Sequence, residues 1–239
     1  MAGPSSFAAR SEASGVILDA ARALFAERGL QDVTMAEVAQ AAGVARATVF
    51  NHFGSKHALV DAITADVLAG YVRLLDTALS DRRTPTPVLI RSLYDVMGRG
   101  IEQNERFYRA IFREIAKVSL GLDEGSETQL LRRTALDRLV QLHTRGQARG
   151  ELVREPAAED LASAFDSLVF GTIIHWLYEE LGEPLHARMG RAAEVLLRGA
   201  ALDPDATYPG PPPRLFDAPA RAGAPPPVRS PKRVKRRRR

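Results

Sequence analysis

Apolar residues recur at intervals of three and four along almost the whole of residues 13–201, and no run alternates apolar with polar as a half-buried strand would. The pattern predicts an all-α protein. The first helix should run from about Ala13 to Arg28, with Ile17, Ala20, Ala21, Leu24 and Phe25 on its inner stripe and Gly29 at a left-handed cap. Thr34 opens the second helix with two start signals. Thr34 and Glu37 have the spacing of a capping box, and Val33 and Val38 that of a hydrophobic staple. Gly43 breaks this helix, Val44 points inward, and a short helix from Ala45 to about Phe53 follows. Ser55 caps the next, long one. Helices are expected near 55–80, 86–103, 105–118, 127–148, 156–182 and 184–201, with proline or glycine between most of them.

Proline marks the edges of this helical body. Ten of the 15 prolines follow Leu202, so 203–239 is expected to be a disordered or polyproline-like tail. Residues 1–10 lack apolar periodicity and are also expected to be disordered. The tail changes the meaning of the net charge of +4, because residues 229–239 hold eight of the 33 basic residues and no acid. Without them, 25 basic residues face 29 acidic ones and the body carries −4. Whole-chain basicity is therefore no argument for nucleic-acid binding. The basic run itself reads either as an arm on nucleic acid or as a solvated stretch of charge.

Composition excludes several kinds of chemistry. The chain has 239 residues, 45% of them hydrophobic, enough for one large domain or two modest ones. Cysteine is absent, which removes disulfides, thiolate metal sites and cysteine nucleophiles. No signal peptide is expected at the amino terminus. The longest apolar stretch, Leu168–Leu177, is interrupted by Gly171, Thr172 and His175 and is short for a bilayer span. A soluble, cytoplasmic protein with no membrane partner is expected. Nucleophile elbows, P-loops, H-E-x-x-H and Gly-rich dinucleotide turns are all missing, and the five histidines are scattered. Neither an enzyme nor a metal or cofactor site is expected.

Residues 34–53, TMAEVAQAAGVARATVFNHF, have helix-turn-helix spacing. Ala39 is small where two helices must approach, Gly43 makes the turn, and Val44 and Val49 pack the second helix on the first. An ordinary helical hairpin would satisfy the same spacing. The motif is more specific than its spacing. From about Val16 to Leu68 the chain resembles the amino-terminal domain of the TetR family of bacterial transcriptional repressors. Thr34, Ala39, Ala42, Gly43, Val44, Thr48, His52, Phe53, Ser55, Lys56 and Leu59 stand where the family pattern has the same residues. Three positions depart from it: Ala45 removes the usual side-chain cap of the recognition helix, Phe50 replaces tyrosine, and Asn51 stands where an aromatic is frequent.

The resemblance implies a helix-turn-helix DNA-binding domain at 11–60 and a helical effector-binding and dimerisation domain at 61–202. It implies a homodimer on a palindromic double-stranded operator, associated with the nucleoid when bound, and release by a small apolar or amphipathic organic effector. Arg46 and Ala47 lie opposite Val49 and would face the major groove. Arg46 takes either guanine or a phosphate, and Ala47 either meets a thymine methyl or is merely small. Asn51 suits a base edge, adenine above all, and Phe50 lies on the same helix. Thr34, Thr48, His52 and Lys56 match phosphate-contacting positions, with a pure capping role open to Thr34. Lys56 also stands at a helix amino terminus, a sound place for phosphate. The remainder of the chain resembles the family in architecture only. The stripe Leu161, Phe165, Leu168, Thr172 and Trp176 and that of Leu185, Met189, Ala192, Ala193, Leu196 and Ala200 suit either a dimer interface or packing within one subunit. Tyr94, Met97, Phe107, Tyr108, Ile111, Phe112, His143 and Phe170 are the candidate lining of an effector pocket, with His143, Tyr94 and Tyr108 as its polar members. The competing class is a helical binding or scaffold protein with a vestigial helix-turn-helix.

Overall fold

Capping chemistry and proline place most helix starts. The structure, a computed structural model, describes residues 4–119, 127–179 and 182–200. Among them the chain forms nine helices: α1 (Pro4–Arg28), α2 (Met35–Ala42), α3 (Arg46–Phe53), α4 (Lys56–Ser80), α5 (Thr86–Gln103), α6 (Glu105–Ser119), α7 (Glu127–Ala148), α8 (Ala158–Tyr178) and α9 (Leu185–Ala200). The basic, proline-rich segment 203–239 lies outside the described residues.

The structure corrects three expectations. Residues 4–10 are helical, not disordered, and extend α1 back to Pro4. Nothing in SSFAARSEAS breaks a helix, and proline at a first helical position costs no backbone bond. The helix expected over 156–182 is shorter, because Ala157 is its amino-terminal cap and Glu179 its carboxy-terminal one. Even so, α8 exceeds the apolar stretch 168–177. It contains an 18-residue window of mean hydropathy 1.2, long and apolar enough to cross a membrane by length and composition alone. In this fold α8 lies against α7 and α9.

Two hydrophobic cores meet along α4 and α6. The first gathers Ile17, Ala21 and Phe25 of α1 with Val38, Val49, Leu59, Val60 and Ile63. The second takes Leu75 and Ala78 from the far half of α4 and joins them to α5, α7, α8 and α9. Helix α4 therefore runs unbroken through the boundary expected at residue 60. Ile111 of α6 is fully buried in the first core, whereas Phe112, the next residue, belongs to the second.

The stripes of α8 and α9 divide: Leu168, Thr172, Trp176, Ala192 and Leu196 are half-buried, and five others turn into the subunit's own core. Leu161, Phe165, Leu185, Met189 and Ala193 are all buried there. The opposite faces are open, with Ser163, Ala164, Ser167, His175 and Tyr178 exposed on α8 and Arg191 and Val195 on α9. Val195 is 70% exposed and Tyr178 56%, both large for unpartnered apolar groups.

Candidate functional site

Thr34 starts α2 as its sequence predicts. The Thr34 hydroxyl accepts from the Glu37 amide at 3.3 Å and the Thr34 amide donates to Glu37 Oε2 at 2.8 Å. Val33 and Val38 are both buried, completing the staple. At the other end Gly43 takes φ 67°, and its amide bonds to the carbonyls of Ala39 and Gln40. That left-handed turn swings the chain into α3 and suits glycine, which has no Cβ to clash. Ala45, the cap of α3, makes no side-chain bond.

Polar tethers hold this pair of helices on the rest of the domain. Arg28 Nη1 donates to Glu37 Oε1 at 2.7 Å, Ser14 Oγ and His52 Nδ1 are 2.9 Å apart, and Lys56 Nζ donates to the Gln31 carbonyl at 3.1 Å. The Thr34 hydroxyl and Arg28 beside Glu37 hold its carboxyl down to about 2. A carboxyl depressed in the fold contributes stability above its ordinary range, and that stability is lost as the pH falls toward 2. Thr34→Ala should therefore lower the melting temperature at pH 7, since it also removes the N-cap of α2. The deficit should narrow at pH 3, as melts of both proteins at the two pH values will show.

The exposed face of α3 is the one expected. Arg46, Ala47, Phe50 and Asn51 are exposed, Thr48 and His52 are half-buried, and Val49 is wholly buried. The Arg46 guanidinium lies over the Phe50 ring, 5.5 Å from its centroid. Thr34 is exposed and Lys56 half-buried at the start of α4. Thr34 donates its hydroxyl proton to Glu37 Oε2 at 2.7 Å, so its capping role is occupied.

Below this head a cavity of about 730 Å³ opens between α1, α4, α5, α6, α7 and α8. This lies within the range of roughly 300–1,000 Å³ of small-molecule sites. Met97, Phe107, Tyr108, Phe112 and Phe170 line it as expected. Tyr94, Ile111 and His143 do not. The buried Tyr94 hydroxyl donates to the Phe165 carbonyl at 3.0 Å. Ile111 faces the first core. His143 Nδ1 is 2.8 Å from the Leu139 carbonyl, its ring lies against Phe165, and burial pushes its pKa down. Tyr94 and His143 border only a crevice of about 10 Å³, too small for an organic ligand.

The polar wall of the cavity comes from residues that periodicity does not single out. Arg22 of α1 bonds Asp66 of α4, and Arg132 of α7 bonds Asp166 of α8. Burial raises Asp166 despite Arg132, and burial with the nearby Asp166 raises the Tyr71 hydroxyl. Partners 44 and 34 residues apart leave no local signature. No group of three or more His, Asp or Glu placed to hold a metal occurs among the described residues.

A short helix presented outward by a glycine turn, above a helical body with a cavity, defines a helix-turn-helix DNA-binding regulator. The family model for bacterial regulatory proteins of the tetR family matches residues 17–63. The helix-turn-helix domain of the chain is thus that of a TetR-family regulator. The repressor KstR2 of Rhodococcus jostii is 36% identical over 84 residues, which span 34% of this chain and 41% of that protein, less than half its length. The repressor BepR of Brucella suis is 25% identical over 79% of this chain and 91% of its own. Among solved structures, SmeT, repressor of the Stenotrophomonas maltophilia efflux pump SmeDEF, aligns with TM-score 0.63 and 25% identity over 84% of this chain and 95% of SmeT. Thermus thermophilus FadR with lauroyl-CoA shares the fold at TM-score 0.59 and 22% identity, over 83% of this chain and 98% of FadR.

Proposed function

We propose that the chain is a cytoplasmic repressor that binds an inverted-repeat operator as a homodimer and leaves it when a small amphipathic molecule fills the cavity. The observation that carries this reading is the position of the cavity. Its wall includes Asp19, Arg22, Ala23 and Ala26 of α1, the helix on which the helix-turn-helix packs. A ligand there touches the DNA-binding head directly. Arg46, Ala47, Phe50 and Asn51 are the base-facing set in this reading. Thr48, His52 and Lys56 serve the phosphates, with Thr34 chiefly a cap. Dimerisation falls to the open faces of α8 and α9, where Tyr178 and Val195 are the apolar anchors and Ser163, Ala164 and Ser167 allow close approach. Dimer burial also accounts for the apolar length of α8 without a membrane. SmeT crystallised with triclosan and FadR with lauroyl-CoA are consistent with an organic effector.

Release requires the ligand to favour the conformation that fits the operator less well, and linkage makes the effect mutual. Saturating operator should weaken ligand binding by the same factor by which ligand weakens operator binding. Equal ligand affinity with and without operator would refute release by that ligand.

The tail adds a separate expectation. Eight cations in residues 229–239 acting through phosphates would contribute affinity without sequence preference. Removing 203–239 should weaken operator and random duplex by similar factors and flatten the slope of log K against log salt. An unchanged slope would mean that the tail is a solvated run of charge.

A further inference from the structure

Two arginines on the cavity wall keep an N–H buried without an acceptor among the described residues, Nε of Arg22 and Nη1 of Arg132. A buried donor without an acceptor is costly, and a ligand that brings an acceptor recovers that cost. The two sites differ in what it takes to reach them. Asp166 is only 17% exposed, so drawing Arg132 away would strand a buried carboxylate. Asp66 is 45% exposed and has a second cation, Arg73, at 4.0 Å. Losing Arg22 would leave Asp66 hydrated and still beside a positive charge. The Arg22 guanidinium, 19% exposed, is the one that can be taken from its carboxylate cheaply.

We infer that Arg22 is the head-group anchor of the cavity, and that its ligand is an amphipath ending in an oxyanion, a carboxylate or a phosphate, which displaces Asp66 from the guanidinium. The inference rests on the cavity being the effector site. The apolar body of the ligand then runs along Phe107, Phe112 and Phe170. The oxyanion replaces one negative charge by another on Arg22, so no charge is left unpaired. The exchange also unties α1 from α4 at the point where the DNA-binding head meets the cavity.

The test is calorimetric titration of the full chain with dodecanoate, dodecyl phosphate and dodecylamine, which share a tail and differ in the head. Either oxyanion should bind at least about tenfold more tightly than the amine, the scale of one charge-assisted hydrogen bond, and the tighter of the two identifies the head. Arg22→Gln should erase that preference. Asp66→Asn removes the nearer of the two carboxylates on Arg22, the other being Asp19 at 3.8 Å, and should tighten oxyanion binding by about tenfold. A merely structural ion pair would make both variants bind more weakly, so opposite signs are diagnostic. Equal binding of all three probes, or no gain in Asp66→Asn, overturns the inference and leaves the cavity as the effector site. Failure of every probe to bind overturns both.

Discussion

Arg46→Ala will change which operator sequences are bound, and will weaken the best of them by about 1–3 kcal/mol, the scale of one bidentate base contact. Arg46 stands on the exposed face of α3 with its guanidinium over the Phe50 ring at 5.5 Å. Stacking of this kind is worth about 0.5–1 kcal/mol at an exposed site and reduces the freedom of a long side chain. The guanidinium is thereby partly ordered before DNA arrives. Phe50→Ala should then reproduce part of the Arg46 loss, though Phe50 carries no hydrogen-bonding group. Lys56→Ala is the contrast, because a phosphate contact weakens all duplexes alike and lowers the salt slope. Binding curves on a panel of single-base operator variants at two salt concentrations separate the roles. A uniform loss for Arg46→Ala would make it a phosphate contact.

The second large effect is on stability. Alanine normally improves a helix over glycine by about 1 kcal/mol. At Gly98 the sign should reverse. A Cβ there would lie 2.5 Å from the Cα and 2.9 Å from the backbone nitrogen of His186, at the start of α9. That nitrogen also donates to Glu102 Oε1 at 2.8 Å, one turn further along α5, so α9 cannot shift without losing this bond. Gly98→Ala should therefore destabilise the chain by about 1–3 kcal/mol, the cost of overpacking. Gly100→Ala, in the same helix with nothing within 4 Å, should be neutral or stabilising. Thermal and urea melts of the two variants make the comparison, and equal behaviour would refute the close approach of α5 and α9.

How much of this was legible beforehand depended on whether the signal was local. The start of α2 carries its capping box and staple within six residues, and α5 begins at Thr86 and ends at Gln103 as proline and periodicity indicate. The face of α3 followed from one buried position, Val49. The cavity did not follow in the same way. Helix α6 is packed on two sides, so its pattern could not show that Ile111 turns to one core and Phe112 to the other. His143 and Tyr94 have the residue types of a polar lining, but the Tyr94 hydroxyl and His143 Nδ1 meet backbone carbonyls in the subunit interior. The real polar wall, Arg22 with Asp66 and Arg132 with Asp166, is a product of tertiary packing alone. The faces of α8 and α9 divided for the same reason, since an apolar stripe does not announce which neighbour it will meet.

Selecting bound duplexes from a random library with the purified protein shows whether it reads duplex DNA as a symmetric pair of α3 helices. An inverted repeat whose half-site centres are about one helical turn apart, 34–36 Å, or a multiple of it, should be enriched. A single asymmetric site, or no enrichment over random duplex, would contradict it.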